Sequence, residues 1–324
     1  MNNAIHTVTT DTYALATKDG RLPGTMGHHN AAAYIMERFG QIGLLPYAGD
    51  GYAMPYKTAR SHYGIRIQPI TMRNLVGVIP GTDEYLPPIV IGAHYDSIIS
   101  APSADDNATS VAAMLYAAEQ IANKPLTRDV IIAAFDGEEP PYFHTEAMGS
   151  TRFVEDHTAA VHLAIIMDLI GHPAPISGID PHLTAMTGIE SHPDLVNILD
   201  GSTLPIIAAR NSSVGDMSDH HAFRMYGDPF LFLSSGEWAD YHSPDDTPDK
   251  IDYTKVAAVA VEIERLARAA DLLPLGESQN WDIAELELST AVDHLGEGLV
   301  DALSGGSRSP SRIVPTMRRM MAAA

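Results

Sequence analysis

Five short strings carry the side chains that could do chemistry. The first, Ile91-Gly92-Ala93-His94-Tyr95-Asp96-Ser97, sets a histidine and an aspartate two positions apart at the end of an apolar run. If that run is a strand, alternation puts His94 and Asp96 on one side, where the carboxylate can accept the second imidazole N–H, as metal-bound histidines usually require. The second, Ser103-Ala104-Asp105-Asp106-Asn107, is an acidic loop opening a helix, and such residues serve equally as N-caps. The third, Phe135-Asp136-Gly137-Glu138-Glu139, runs from apolar residues into three carboxylates, which either lie in a solvated loop or need a cation or a shared proton. The fourth sets Asp168 within Ile165-Ile166-Met167-Asp168-Leu169-Ile170-Gly171, where a buried charge is costly unless paired or liganded. The fifth is Tyr241-His242-Ser243-Pro244-Asp245-Asp246-Thr247. Collected from five strand ends or loops, two histidines and at least three carboxylates suit an oxygen and nitrogen site for two metals, with one carboxylate left over as a base.

The elements that must position them alternate along the chain. Residues 27 to 39 have Ala31, Tyr34, Ile35 and Phe39 at helical spacing, with Gly40 and Gly43 ending the pattern. Two or three strands follow between Ile65 and Ile91, broken by Pro80-Gly81-Thr82-Asp83 and Pro87-Pro88. A helix after Asn107 (Val111, Met114, Leu115, Ala118, Ile121) precedes the apolar strand from Asp129 to Phe135. The alternation continues with a helix near Thr151 to His157, strands at Val161 to Met167, Pro205 to Ala209 and Phe230 to Leu233, and a closing helix with Val256, Val259, Ile263, Leu266 and Ala270 on one face. Apolar strands separated by helices predict an α/β protein, a three-layer α/β/α sandwich with a mixed, centrally parallel sheet over about residues 20 to 272. Open sheets of this kind gather functional groups at the carboxyl ends of their strands, which is where the five strings lie. Residues 1–274 read as the catalytic domain. Residues 275–324 read as a C-terminal helical extension that runs through a Gly/Ser cluster at 304 to 307 into a flexible tail.

Composition removes several alternatives. The formal charge of −21 repels phosphate backbones and anionic lipid, so neither nucleic acid nor a membrane surface is an expected partner. With no cysteine there is no disulfide, thiolate metal site or cysteine nucleophile, and any metal must be held by His, Asp and Glu. The first residues have neither a basic start nor an apolar core of the signal-peptide kind, which makes a cytoplasmic location the expectation for the chain as written.

In this order and spacing, the strings GAHYDS, ADDNATS, FDGEE, MDLIG and YHSPDDTPDKID resemble the di-zinc aminopeptidases of the bacterial leucyl aminopeptidase type. These belong to metallopeptidase clan MH, with glutamate carboxypeptidases and glutaminyl cyclases as relatives. The resemblance extends to RLPGTMGHHNAAAYI and NLVGVIPG and covers most of residues 20 to 272. It implies a zinc exopeptidase-like fold and two divalent metal ions, zinc being expected. His94, Asp106 and Asp168 would hold one ion; Asp106, Glu139 and His242 would hold the other. Glu138 matches the general base that activates a metal-bridging water, Asp96 the aspartate behind His94, and Tyr241 a tyrosine that in some relatives donates to the developing oxyanion. The implied activity is hydrolysis of N-terminal peptide bonds of peptide or aminoacyl substrates.

The sequence departs from the family at Thr109-Ser110, where Ser-Gly is frequent, and at Pro140-Pro141-Tyr142-Phe143, where a longer loop replaces the usual Gly-Leu. That loop and MDLIGHPAP look somewhat like the glutaminyl cyclase branch, so acyl transfer by ring closure is the alternative activity. A non-catalytic peptide-binding protein on the same fold would be marked by lost ligands, and none is lost. His28, His29, His172, His220 and His221 read as structural residues, and Asp105, Asp136, Asp245 and Asp246 as caps, turns or supports behind the site.

Overall fold

A computed structural model describes residues 1–58, 61–62, 65–66, 69–157, 159–174 and 178–321. Two helices, α1 (Asn2–Leu15) and α2 (Met26–Ile42), precede the short strands β1 (Leu45–Pro46), β2 (Ala53–Lys57), β3 (Ser61–His62) and β4 (Ile65–Arg66). The chain continues through β5 (Thr71–Ile79), β6 (Ile89–His94), α3 (Thr109–Asn123), β7 (Val130–Phe135), α4 (Gly149–Asp156) and β8 (Leu163–Met167). Next come β9 (Thr184–Thr187), β10 (Ile206–Ala208), α5 (Asn211–Val214), α6 (His220–Tyr226), β11 (Phe230–Ser234) and α7 (Tyr253–Ala270). Helices α8 (Ala284–Leu295), α9 (Glu297–Ser304) and α10 (Pro310–Met321) follow.

Strands β6, β7, β8 and β11 are buried at every residue, which requires cover on both faces. Their alternation sorts the side chains. Ile132, Ala134, Leu163, Ile165, Leu231 and Leu233 pack beneath α1, α2, α3 and α7. Ile131, Ala133, Ala164, Ile166 and Phe232 meet Phe153 of α4 and Phe223 of α6 on the other face. Among the described residues, nine strands form one sheet in the order β1-β5-β7-β6-β8-β11-β9-β10, with β2 also paired to β5. The four central strands β7, β6, β8 and β11 run parallel. Antiparallel partners flank them, β5 beyond β7 and β9 beyond β11. The fold is therefore the expected three-layer α/β/α sandwich with a mixed, centrally parallel sheet. Close approach within it depends on Gly92, where a Cβ would lie 2.5 Å from the ring of Phe135.

Four local readings change. Helix α1 was not anticipated, because its threonines lower helix propensity, yet it buries Ala4, Val8, Thr12 and Leu15. Helix α2 continues through Gly40 and stops at Gly43, whose φ of +86° suits the left-handed turn. Strand β9, Thr-Ala-Met-Thr, has no apolar run to announce it and is fixed by antiparallel pairing with β11. Beyond residue 275, Ala291, Val300, Leu303, Ile313 and Val314 form a separate small core with Leu183, Ile207 and Ala209. The flexible tail expected after the Gly/Ser cluster at 304 to 307 is instead helical over residues 310–321, which run as α10 because Ile313 and Val314 find an apolar surface to bury against. No helix among the described residues is long and apolar enough to cross a membrane.

His220 is fully buried and stacks on Phe232 with ring centroids 4.0 Å apart. Its Nε2 donates to Asn211 Oδ1 (3.0 Å) and Gly215 O (3.3 Å), while Nδ1 has no partner. Burial lowers its pKa to about 3. Between about pH 6.5 and pH 3 the unfolded chain therefore takes up a proton there that the folded chain refuses. Stability should fall as pH drops through that window, by up to about 1.4 kcal/mol per unit from this one group. Urea denaturation at stepped pH checks this: His220→Gln should show a shallower acid slope than wild type, and equal slopes would refute it.

Candidate metal centre

The four parallel strands end side by side, and each end leads into polar chain. His94 closes β6, Asp168 directly follows β8, Glu138 and Glu139 follow β7, and Tyr241 and His242 follow β11. Asp106 enters from the wide turn Ala104–Ala108 just before α3. Gly137, at φ +69°, provides the left-handed turn that swings the two glutamates back over the strand ends. Leu169 and His242, at φ +54° and +56°, also hold positive φ, which is uncommon for such residues away from functional turns.

Two groups of three donors result, sharing Asp106. In one, His94 Nε2 lies 3.3 Å from Asp106 Oδ1 and 3.5 Å from Asp168 Oδ1. In the other, His242 Nε2 lies 3.1 Å from Asp106 Oδ2 and 3.2 Å from Glu139 Oε2. All are buried except His242, which is partly exposed. Donors placed tetrahedrally at about 2.0–2.2 Å from an ion sit about 3.3–3.6 Å from one another, which these spacings approach. Both ring nitrogens of His94 and Oδ1 of Asp168 are buried without a hydrogen-bond partner. The orphaned donors of the first group, and the spacing and chemistry of both, fit a divalent cation at each.

Glu138 belongs to neither group, and its Oε2 stands 3.8 Å from His94 Nε2. Asp96 faces His94 Nδ1 at 3.5 Å, as the alternation of β6 requires. It also accepts the backbone N–H of Glu138 (3.2 Å) and Glu139 (3.1 Å), a link between two strand ends that spacing alone does not reveal. The ring of Tyr241 stacks on His242, centroids 3.7 Å apart.

The electrostatics are those of acids crowded out of water. Burial, opposed by His94 and aided by Asp168 and Glu139, raises Glu138 well above its usual range, and burial plus Asp106 raises Glu139 to about 8. Burial works against His242, yet Asp106 and Glu139 lift it to about 10. Asp106 is held low, against burial, by His242 and His94. Burial and the same carboxylates push the Tyr241 hydroxyl strongly upward, so it stays protonated. A bound dication would invert this logic, since it would be the largest local charge.

Among the residues read as structural, Asp246, Asp105 and Asp136 make the bonds around the site. Asp246 accepts the N–H groups of Asp105 (2.9 Å) and Asp106 (3.1 Å), fixing the turn that presents Asp106. Asp105 bonds His172 Nδ1 at 2.6 Å, and Asp136 bonds His28 Nε2 at 2.9 Å. None of His28, His29, His172, His220 or His221 joins either donor group. One support was missed. Arg21 is fully buried, and its guanidinium donates to the carbonyls of Tyr95, Leu15, Pro102, Ser103 and Asp106. Only its place in the string RLPG hinted at a role.

Comparison with known proteins places the chain in a family and a fold. The family described as peptidase family M28 matches residues 74–266, a span that contains both donor groups, Asp96, Glu138 and Tyr241. Uncharacterized protein YfbL of Escherichia coli is 28% identical over 270 residues, 71% of this chain and 77% of that protein. Aminopeptidase YwaD of Bacillus subtilis is 26% identical over 232 residues, 63% of this chain but 43% of that protein. A glutaminyl cyclase of Bacteroides thetaiotaomicron, solved with N-acetylhistamine, aligns with a TM-score of 0.64 at 16% identity over 82% of this chain and 97% of that one. At that identity the likeness is one of fold.

Arg21→Met should destabilise the protein by about 3–5 kcal/mol, because it strips donors from several buried carbonyls and removes a buried cation whose charge acts on Asp106, Asp246, Asp96 and Glu139. Arg21→Lys, with three donors in place of five, should recover only part of that loss. Chemical denaturation of both variants checks this, and a loss below about 1 kcal/mol for Arg21→Met would show that the carbonyls find other partners.

Proposed function

The chain belongs to peptidase family M28, and from that premise we propose that it is a metal-dependent aminopeptidase, cleaving the N-terminal peptide bond of peptide or aminoacyl substrates. One observation carries the reading. Two donor groups share Asp106, and a buried glutamate stands beside them without joining either. His94, Asp106 and Asp168 would hold one divalent cation and Asp106, Glu139 and His242 a second, zinc being the ion expected for imidazole and carboxylate donors. When bound, such cations supply Lewis acidity to a carbonyl oxygen and lower the pKa of water.

The chain's own residues divide the remaining work. Glu138 is free to take a proton from the attacking water and to hand it to the departing amine. Asp96 positions that base and its neighbour through their backbone N–H groups, and steadies His94 through Nδ1. Tyr241, kept protonated beside His242, can donate to an oxygen that gains negative charge. The protein's net charge of −21 suits a substrate whose N-terminus is a free ammonium. The loop that follows Glu138 and Glu139 in the chain, with its Pro140-Pro141 pair in place of the usual Gly-Leu, favours a second reading, glutaminyl cyclase-like ring closure.

Turnover of aminoacyl-p-nitroanilides by the metal-loaded protein tests the proposal. Glu138→Gln should lower kcat by about 10²-fold or more, the scale of a lost general base, while metal content is retained. If glutaminyl peptides instead yield a lactam and no free amino acid, ring closure replaces hydrolysis. Removing metal with a chelator should abolish activity and lower the melting temperature. Restoring zinc at about 100 times its Kd should return about 2.7 kcal/mol per site. Calorimetry should count two equivalents, and one would overturn the two-ion part.

A further inference from the structure

An apolar pocket adjoins the metal centre, with Asp168 and Tyr241 in its lining. The rest of its wall comes from widely separated parts of the chain: Ala185 of β9, Ile207 of β10, Phe232 of β11, Val214 of α5 and Val314 of α10. Val314 and its neighbour Ile313 are buried in the small core that also contains Leu183 and Ile207, so α10 is anchored at this wall. The family match ends at residue 266, and α10 lies well beyond it. The C-terminal extension thus completes a cavity that begins at the carboxylate of Asp168.

We propose that this pocket receives the side chain of the substrate's N-terminal residue, that the residue preferred is apolar, and that Val314 of the C-terminal extension sets how large it can be. The proposal rests on the aminopeptidase reading and deepens it. A side chain on the residue next to the scissile bond must lie within a few ångströms of the metal donors, and this pocket shares Asp168 with them. Burying a leucine-sized side chain against such walls is worth about 1.5–3 kcal/mol, whereas a charged one would lose hydration for little return. Glu237 also lines the pocket, which makes a lysyl residue the competing occupant.

The test uses the full-length, metal-loaded protein and two variants, Val314→Phe and Val314→Ala. Hydrolysis of alanyl, leucyl, phenylalanyl and lysyl p-nitroanilides is measured together with calorimetric binding of free L-alanine, L-leucine and L-lysine, which needs no turnover. Wild type should favour leucyl over alanyl and lysyl substrates. Val314→Phe should lower the leucyl-to-alanyl ratio of kcat/KM by about tenfold or more, in the range that one or two methylenes command in an apolar pocket. Val314→Ala should shift the preference toward phenylalanyl, so a poorly folding Phe variant does not remove the test. If nothing is hydrolysed but L-leucine binds and Val314→Phe weakens it, the pocket stands and the aminopeptidase reading falls. Substrate ratios unchanged in both variants, a preference for lysyl, or L-leucine binding no tighter than L-alanine would each overturn the proposal.

Discussion

Everything near the carboxyl ends of the central strands answers to one constraint, the burial of several carboxylates within a few ångströms of one another. Asp96, Asp106, Glu138, Glu139 and Asp168 all lie out of water. Like charges so placed raise one another's pKa unless positive charge joins them. Two histidines are drawn in as partial compensation, and His242 is driven to about 10 by its acidic neighbours. A site that must borrow protons from imidazoles is one arranged for cations. Within that crowd Glu138 belongs to neither donor group, its Oε2 3.8 Å from His94 Nε2, which leaves it available as a proton carrier.

Such an arrangement persists only because the structure around it is over-determined. Asp106 is fixed from two sides, by Asp246 on its backbone N–H and by Arg21 on its carbonyl. Among the described residues Arg21 has no carboxylate in direct contact; carbonyl oxygens accept from its guanidinium, and its charge acts on the acidic cluster through space. Asp96 ties the end of β6 to the loop after β7, so a histidine and two glutamates from different strands move as one unit. Apart from the approach of Asp96 to His94 Nδ1, these supports act on backbone atoms, which is why they hold the site without competing for the donors that a metal would use.

The region beyond the family match joins the same logic from the far side of the sheet. Helices α8, α9 and α10 cover β10 with a small apolar core of their own. Through Val314 that core reaches the pocket beside Asp168. A parallel sheet presents its ligands at strand ends whatever surrounds it. The walls that select a substrate come from whichever segments happen to pack there, and here one of them comes from the end of the chain.

Much of this was legible in the sequence, and the boundary has a physical basis. Apolar runs of strand length ending in His94, in Glu138 and Glu139, and in Asp168 announce both a buried parallel sheet and polar groups at its carboxyl end, because alternation and burial are local properties. The ordered strings around them named the donor set. Strand β9 and helix α1 escaped notice because their own residues prefer little, and pairing or packing by distant partners decides their state. The role of Arg21 was hidden for a related reason: its partners are backbone carbonyls, which every residue has, so no side-chain spacing can signal them. That Asp96 braces two strand ends, and that Val314 stands more than 140 positions along the chain from Asp168 yet lines the same cavity, are facts of three-dimensional convergence. Sequence determined which chemistry is present. Tertiary structure alone decided what meets it, because contacts between residues far apart in the chain leave no periodic trace in it.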